Sequence, residues 1–285
     1  MLDSSSSGIA QCYSVIVHCP RQMLVVLTNI PTPYRTAFFD ALAEAAACAG
    51  KRFHVLYCAK TEPGRHWPYD SSKMKHAHTV LRGFHPSLTG IHTHLNPGVL
   101  AELNLLKPDT LLLAGSWNTP TMLIAGLNIY SPAPRRIFWT EGHADAALHK
   151  SGLIAWLRRR VYRTFDGFAV PNAKSAEWAI AQAGSARPVV NLPNAIDAQF
   201  FARPSGSARP EARRALALEG EGRVLVQVSA LTARKGIMEL AEKFLALPNL
   251  ERRSAKLLFV GDGELRDQLK AVAAESSGAI RVLGQ

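Results

Sequence analysis

Two glycine-containing loops near the end of the sequence combine residue types that suit the binding of an anion. The first spans Ser229 to Gly236 and places Lys235 just before a predicted helix, and the second is Gly261-Asp262-Gly263. Both follow strand-like apolar runs, so both should lie at the carboxyl edge of one parallel sheet, where α/β proteins bind ligands. Glycine allows close backbone approach to a phosphate, while a lysine and a helix N-terminus supply positive charge. The alternative is that each loop is only a tight turn. Neither loop matches a Walker loop or a dinucleotide-binding fingerprint, which argues against an ATPase or a dehydrogenase.

A basic helix is predicted from Gly152 to Thr164. From Lys150 to Phe165 the sequence has five basic residues and no acidic residue. The helical spacing turns Leu153, Leu157 and Val161 toward the core and gathers four other side chains on a separate face: Trp156, Arg159, Arg160 and Arg163. An exposed face of this composition suits an anionic membrane surface, although a solvated basic face without a partner would show the same pattern.

Histidine is concentrated in one part of the first half, at His66, His76, His78, His85, His92 and His94. The spacing within His76/His78 and within His92/His94 would place each pair on one face of a strand, an arrangement that zinc can use. Neither a cysteine nor a close carboxylate completes a recognisable ligand pattern. We therefore expect no metal site and no other cofactor.

Apolar runs and helical periods alternate along the chain from Met23 onward, which is the pattern of an α/β protein. The predicted strands of the first half are Met23 to Thr28, Phe53 to Cys58, Thr79 to Leu81, Thr110 to Ala114, Arg136 to Thr140, Phe168 to Pro171 and Pro188 to Leu192. The helices predicted between them cover 33–49, 98–106, 119–130, 152–164 and 173–183. This β-α-β order predicts a right-handed, doubly wound parallel sheet.

A segment rich in Pro, Gly, Ser and Arg separates this alternation from a second one. The second contains strands at Val224 to Ser229, Lys256 to Val260 and Ile280 to Leu283, with helices over 236–247 and 264–274. We predict a disordered tail at 1–22, a first domain at 23–197, a linker at 198–222 and a second domain at 223–285. The linker should contain a short helix from Pro210 to Leu218. Both domains should be Rossmann-like, and we expect the second to be incomplete because three strands make only half of such a sheet.

The composition, with 33 basic and 22 acidic residues and a net charge of +11, favours anionic partners. Nucleic acid is not the expected partner, because neither a basic-aromatic stacking motif nor a helix-turn-helix pattern is present. No apolar run approaches the roughly 20 residues that span a bilayer. The four cysteines contain no C-x-x-C pair, which predicts reduced thiols. Arg21 follows the weakly apolar run from Tyr13 to Cys19 instead of preceding it, unlike in a signal peptide, so a cytoplasmic location is predicted.

Four segments together resemble one known family. Leu192-Pro193-Asn194-Ala195-Ile196-Asp197, followed by Phe200 or Phe201, is similar to the P-N-G-V-D-x-x-x-F segment at the interdomain crossing of retaining GT-B glycosyltransferases of family 4. Asn29 to Arg35 looks like the first-strand loop of these enzymes. Ala233-Arg234-Lys235-Gly236 resembles the end of their G-R-L-x-x-x-K-G loop, and Phe259-Val260-Gly261-Asp262-Gly263 resembles their V-G-x-G segment. The similarity extends from Met23 to Gln285.

The resemblance implies that the second domain binds a nucleotide sugar and that the first binds a glycan or a lipid-linked acceptor. The sugar would be transferred with retention of configuration, in the cytoplasm or at the inner face of the membrane. Basic side chains and helix N-termini would neutralise the leaving diphosphate without a metal. The candidates to bind the donor diphosphate are Ser229, Arg234, Lys235, Gly236, Gly261 and Gly263. The catalytic candidates are His143 and Glu141, and those of the acceptor side are Pro31, Tyr34 and Arg35. The alternative for His143 is a histidine satisfied within its loop.

Two departures from the family pattern bear on activity. Ala230 stands where the family has an arginine five residues before the lysine, so one phosphate-binding cation is missing unless Arg234 replaces it. No segment corresponds to the family's P-S-x-x-E-G-F-G motif or to its pair of donor-binding glutamates. We therefore predict that the 285-residue chain has no transferase activity alone. The alternative is a non-catalytic relative that keeps acceptor or membrane binding.

Overall fold

The computed structural model describes residues 23–65, 67, 69–88, 91–127, 133–147, 149–198, 202, 208–218, 222–248 and 255–284. The chain divides into two compact units between residues 201 and 202, called unit 1 and unit 2 below. The tail predicted at 1–22, His66 and the two phenylalanines of the crossing segment, Phe200 and Phe201, lie outside the described residues.

The strands of unit 1 are β1 (Met23–Thr28), β2 (Arg52–Tyr57), β3 (His78–Val80), β4 (Ser87–Leu88), β5 (Ile91–His92), β6 (Thr110–Ala114), β7 (Arg135–Trp139), β8 (Gly167–Val170) and β9 (Val189–Asn191). Strands β4 and β5 pair as a short antiparallel ladder, which the sequence did not predict. The other seven form a parallel sheet in the order β3-β2-β1-β6-β7-β8-β9. The strand order therefore reverses between β1 and β6, as the doubly wound prediction requires.

The helices of unit 1 are α1 (Pro33–Cys48), α2 (Val99–Leu106), α3 (Pro120–Gly126), α4 (Gly152–Tyr162) and α5 (Ala173–Ala183). Proline starts α1 and α3, where its fixed φ suits the first turn and no N–H is needed. Alternate residues of β1 pack into two clusters on opposite sides of the sheet, with Val25 and Leu27 in one and Leu24 and Val26 in the other. Burial on both faces explains why the parallel strands are continuous apolar runs.

The prediction for the buried side of α4 is wrong for its two leucines, whereas the third residue, Val161, packs against the core as predicted. Leu153 is 69% exposed and Leu157 is 43% exposed, so neither leucine faces the core. The residues that α4 does bury are Ala155, Arg158 and Tyr162. A small residue lets the helix approach the sheet, and the long arginine and tyrosine side chains cover apolar surface with their stems and rings. The apolar side chains that remain exposed join the basic residues of α4 in one surface.

Unit 2 contains α6 (Ala208–Ala215), β10 (Arg223–Val228), α7 (Ile237–Leu245), β11 (Ala255–Val260), α8 (Arg266–Glu275) and β12 (Ile280–Gly284). Its three strands are parallel, in the order β10-β11-β12, and its core lies mainly between β11, β12 and the two helices α7 and α8. Within the described residues, β10 pairs with a strand on one edge only. Leu225, Val226 and Val228 are 46%, 56% and 71% exposed, so β10 is an uncovered apolar edge strand.

Candidate functional site

A cleft of about 720 Å³ opens at the carboxyl edge of the unit 1 sheet. Its base is formed where β1, β6 and β7 end, at Thr28, Ala114 and Trp139, and α4 and α5 add Arg158 and Trp178. The cleft therefore lies beside the reversal of strand order between β1 and β6, which is the position at which doubly wound sheets bind ligands.

Four of the residues predicted for the catalytic and acceptor side come together in this cleft. Tyr34, Arg35, Glu141 and His143 all line it, although the first turn of α1 and the loop after β7 that hold them are about a hundred residues apart in the chain. Pro31 is buried beneath its loop, and its carbonyl oxygen accepts a hydrogen bond of 3.0 Å from Trp67 Nε1. Pro31 thus shapes the loop and does not line the cleft.

Arg35 ties the two strands at the point of reversal together. Its Nη1 donates to Thr28 Oγ1 at 3.0 Å and to the Ala114 carbonyl at 3.2 Å. The guanidinium lies 4.7 Å from the ring centroid of Trp139, close enough for a cation-π contact. Its Nη2 is 3.8 Å from Glu141 Oε1, an ion pair at the rim. Arg35 therefore fixes the geometry of the cleft and presents its remaining donors to it.

Buried polar atoms without a hydrogen-bond partner in the described part of the chain concentrate on this cleft. Five of eight such atoms belong to residues that line it: Asn29 Oδ1, Thr32 Oγ1, Arg35 Nε, Trp139 Nε1 and His143 Nδ1. His143 Nδ1 is 3.8 Å from Asp145 Oδ2, which is too long for a hydrogen bond. Buried polar groups in folded proteins are almost always hydrogen-bonded to protein or water, so these atoms are available to water or to the polar groups of a ligand.

Glu62 is a cleft residue that sequence reasoning missed. Its carboxylate is 8% exposed, and Oε1 is 2.9 Å from His94 Nε2 while Oε2 is 3.7 Å from Arg65 Nε. Burial alone would raise the pKa of Glu62, but the hydrogen bond with His94 and the positive charges around it hold the pKa below its usual value. The carboxylate is therefore ionised and oriented. Because His94 lies 32 residues away in the sequence, no local pattern could have revealed the pair.

The two loops predicted to bind an anion lie side by side at the carboxyl edge of β10 and β11. The Leu231 N–H donates to the Asp262 carbonyl at 2.9 Å, and the Leu265 N–H donates to the Leu231 carbonyl at 3.0 Å. A Cβ on Gly261 would lie 1.9 Å from the Ser229 carbonyl oxygen, and one on Gly263 would lie 2.5 Å from that of Leu231. The glycines thus allow the two loops to touch each other.

The backbone N–H groups of these loops are mostly used within the protein. Those of Ser229, Gly236 and Gly261 donate to the carbonyls of Val260, Ala233 and Gly284, and the Gly263 N–H donates to Asp262 Oδ1 at 2.8 Å. Lys235 and Arg234, in contrast, are exposed at a turn, Ala233–Lys235, that precedes α7. At this edge of unit 2, an anion would therefore be bound mainly by the side chains of Lys235 and Arg234 and less by backbone N–H groups.

Arg266 adds a cation near the same loops that the sequence did not indicate. Its Nη1 is 2.8 Å from Asp262 Oδ2, so the acidic residue of the second loop is paired within the protein. This pairing removes most of the repulsion that a free carboxylate would exert on a bound anion.

The predicted membrane-facing residues lie on α4. Trp156 is 52% exposed, Arg160 and Arg163 are exposed, and Arg159 is half-buried. Leu153, Ile154 and Leu157 extend the same surface with apolar side chains. No helix in the described part of the chain is long and apolar enough to cross a membrane.

The histidines of the first half are used in pairwise contacts. His76 bonds to Asp40 at 2.6 Å and to the Tyr57 hydroxyl at 2.9 Å, and His94 contacts Glu62. Among the residues that the structure describes, no group of three or more His, Cys, Asp or Glu side chains could hold a metal ion.

Comparison with known proteins gives a clear result for structure only. No protein-family model matches the sequence, and a search of curated protein sequences finds no match. Among solved structures, HepE from Anabaena in complex with UDP and glucose aligns with a TM-score of 0.63 and 16% identity, covering 93% of this chain and 69% of that one. A glycosyltransferase from Rickettsia africae aligns with a TM-score of 0.63 and 11% identity over the same shares.

WaaG, a glycosyltransferase involved in lipopolysaccharide biosynthesis, aligns with a TM-score of 0.56 and 14% identity, covering 92% of this chain and 70% of that one. At these identities the similarity establishes the fold, which is α/β and GT-B-like, as the sequence predicted.

Proposed function

We propose that this protein is a glycosyltransferase that takes a sugar from a nucleotide-sugar donor. Unit 2 would bind the donor and unit 1 the acceptor, and the sugar would be transferred with retention of configuration. The GT-B-like fold and the solved neighbours that bind UDP or glucose support this proposal. The observation that carries it is the pair of touching loops at the edge of β10 and β11, with Lys235 and Arg234 exposed beside them.

The donor diphosphate would be held by Lys235 and Arg234, with Arg234 replacing the cation that Ala230 lacks. Ser229, Gly236, Gly261 and Gly263 would shape the loops around it. Because these side chains supply the positive charge, we expect no metal requirement, and EDTA should leave binding unchanged.

Calorimetric titration of the chain with UDP, GDP and ADP tests the donor side. One nucleotide should bind, and Lys235→Ala should weaken it by about tenfold, the effect of losing one charge-assisted contact. Lys243→Ala is the matched control, since Lys243 is an exposed lysine on α7, and it should leave the affinity unchanged. Binding of none of the three nucleotides would contradict the proposal.

On the acceptor side, the unsatisfied polar atoms of the unit 1 cleft would bind sugar hydroxyls. His143 would contact the transferred sugar, and Glu141, paired with Arg35, would orient the acceptor from the rim. The acceptor would be a glycan or a lipid-linked glycan. Titration with a panel of mono- and disaccharides, followed by the fluorescence of Trp139 and Trp178, would detect this binding, and His143→Ala should weaken it.

We further propose that α4 binds an anionic membrane surface, at the cytoplasmic face. Exposed leucine and tryptophan side chains can enter the headgroup region while arginines contact acidic lipids, at about 1 kcal/mol for each cation near the surface. In vesicle sedimentation, the chain should bind phosphatidylglycerol vesicles more strongly than phosphatidylcholine vesicles. A double variant, Arg160→Gln with Arg163→Gln, should remove this preference. Equal binding to both lipids by the unmodified chain would refute the membrane proposal.

The alternative is a non-catalytic relative that binds acceptor or membrane without donor chemistry. Ala230 favours it, because the arginine of the family pattern is absent. With that cation missing, we expect no turnover by the 285-residue chain alone. Turnover of any nucleotide sugar by the purified chain would contradict this expectation, and nucleotide binding without turnover would agree with it.

A further inference from the structure

Arg158 is a buried cation to which the described residues supply no counter-charge. It lines the cleft of unit 1 and is 6% exposed. Its Nε donates to Gln182 Oε1 at 3.0 Å, and its Nη2 donates to the His149 carbonyl at 2.7 Å. The guanidinium carbon is 4.9 Å from the ring centroid of Trp178. Among the described residues no carboxylate lies within the 4.0 Å limit of an ion pair with it.

This arrangement is costly unless an anion completes it. Arginine remains protonated in proteins, and an unpaired buried charge is strongly unfavourable. The amide and the carbonyl that contact Arg158 are neutral, so they orient the guanidinium without neutralising it. The other two arginines of the cleft differ, since Arg35 lies 3.8 Å from Glu141 and Arg65 lies 3.7 Å from Glu62. Only Arg158 among these three keeps its full charge for a ligand.

We propose that Arg158 binds a phosphate group carried by the acceptor. The inference rests on the proposed function insofar as it assigns the unit 1 cleft to the acceptor. A planar guanidinium donates two parallel hydrogen bonds to a phosphate, and Nη1 has no acceptor among the described residues. The cleft volume of about 720 Å³ accommodates a sugar phosphate. Ile154, one turn earlier on α4, also lines the cleft and is 42% exposed, so the phosphate of a lipid-linked acceptor would fit as well.

Binding of soluble probes tests the proposal and separates the two sources of phosphate. Glucose, glucose 6-phosphate, inorganic phosphate and geranyl phosphate are titrated in turn, with tryptophan fluorescence and calorimetry as readouts. Glucose 6-phosphate or geranyl phosphate should bind at least about tenfold more tightly than glucose. A preference for geranyl phosphate indicates a lipid-linked acceptor, and a preference for glucose 6-phosphate indicates a sugar phosphate. Equal affinity for glucose and for all phosphate probes would overturn the proposal.

Variants locate the site. Arg158→Gln should abolish the tighter binding of the phosphate probes relative to glucose. Arg160→Gln, the same change on the exposed side of α4, should leave this difference in affinity unchanged. Lys243→Ala should also leave it unchanged, because Lys243 is an exposed lysine of unit 2 that lies outside the two loops. Loss of phosphate binding in Lys243→Ala but not in Arg158→Gln would contradict the assignment.

A folding defect in Arg158→Gln would be recognised by circular dichroism, and Arg158→Lys then serves as the second variant. It keeps the charge but loses the fork of two donors, so phosphate should bind several-fold more weakly than in the unmodified chain. Unchanged phosphate affinity in Arg158→Lys would count against the proposal. UDP titration of the same samples reports on unit 2, so failure of the donor proposal and failure of the Arg158 proposal give different results.

Discussion

Gly261 and Gly278 provide a matched test of how the two loops of unit 2 are held together. Both have positive φ, 144° for Gly261 and 77° for Gly278. A Cβ on Gly278 would have nothing within 4 Å, whereas one on Gly261 would lie 1.9 Å from the Ser229 carbonyl oxygen. Alanine at both positions therefore incurs backbone strain, but only Gly261→Ala also forces the loops apart.

The magnitude follows from this geometry. Alanine in a left-handed conformation costs about 1–2 kcal/mol, which is the full cost expected for Gly278→Ala. At Gly261, φ lies in a region that is nearly restricted to glycine, so the backbone strain of an alanine there is about 1–3 kcal/mol. The Ser229 carbonyl must also move away by more than an ångström, which disturbs the loop hydrogen bonds at about 1 kcal/mol each. Gly261→Ala should thus cost about 3–5 kcal/mol in the free energy of local opening.

Hydrogen exchange with mass spectrometry is the suitable assay. All five tryptophans lie in unit 1, so fluorescence does not report on unit 2. Peptides covering β10, β11 and their loops should exchange several hundredfold or more faster in Gly261→Ala, and about tenfold faster in Gly278→Ala. UDP binding should be lost only in Gly261→Ala. Equal exchange in the two variants would refute the role assigned to the contact between Gly261 and Ser229.

Three further predictions concern unit 1. Arg35→Met should lower the free energy of unfolding of unit 1 by about 2–4 kcal/mol, measured by urea denaturation with tryptophan fluorescence, because buried hydrogen bonds at the sheet edge lose their donor. Burial lowers the pKa of His76, and this effect outweighs the opposite effect of Asp40. The imidazole is therefore protonated near pH 6.5 in the unfolded chain but only at lower pH in the folded protein. The free energy of unfolding should therefore fall as pH decreases from 7 to 5, and His76→Gln should make this dependence on pH shallower. An unchanged dependence in His76→Gln would contradict the reasoning. Burial raises the pKa of the Cys58 thiol to about 12, so iodoacetamide at pH 8 should modify exposed Cys48 but not Cys58 in the folded protein, as peptide mapping would reveal.

The sequence predicted most of the sheet because parallel strands buried on both faces are unbroken apolar runs. Met23 to Thr28 and Thr110 to Ala114 were predicted with the bounds that the structure has. In a parallel sheet the loops that follow the strands all lie at the carboxyl edge. The two segments that contain Arg35 and Glu141 could therefore be expected to lie at the same edge.

The remaining features depend on contacts that no local pattern encodes. The buried side of α4 was misjudged because a period of leucines indicates a helix face but not which face meets the sheet. Arg158 was therefore given no role of its own, although its guanidinium is held by Gln182 and by the His149 carbonyl. Glu62 was overlooked for the same reason, since its orientation depends on a histidine in a distant loop.

The uncovered edge of β10 also has a consequence for handling the protein. Among the residues that the structure describes, one edge of the strand has no neighbouring strand, and its sequence from Val224 to Val228 contains no charged residue. Natural proteins usually protect such edges with lysine, proline or a bulge, because an unprotected edge is a template for strands of neighbouring molecules. Self-association at high concentration would then begin at unit 2 and leave the cleft of unit 1 intact. The concentration at which binding is measured thus becomes an experimental variable in its own right.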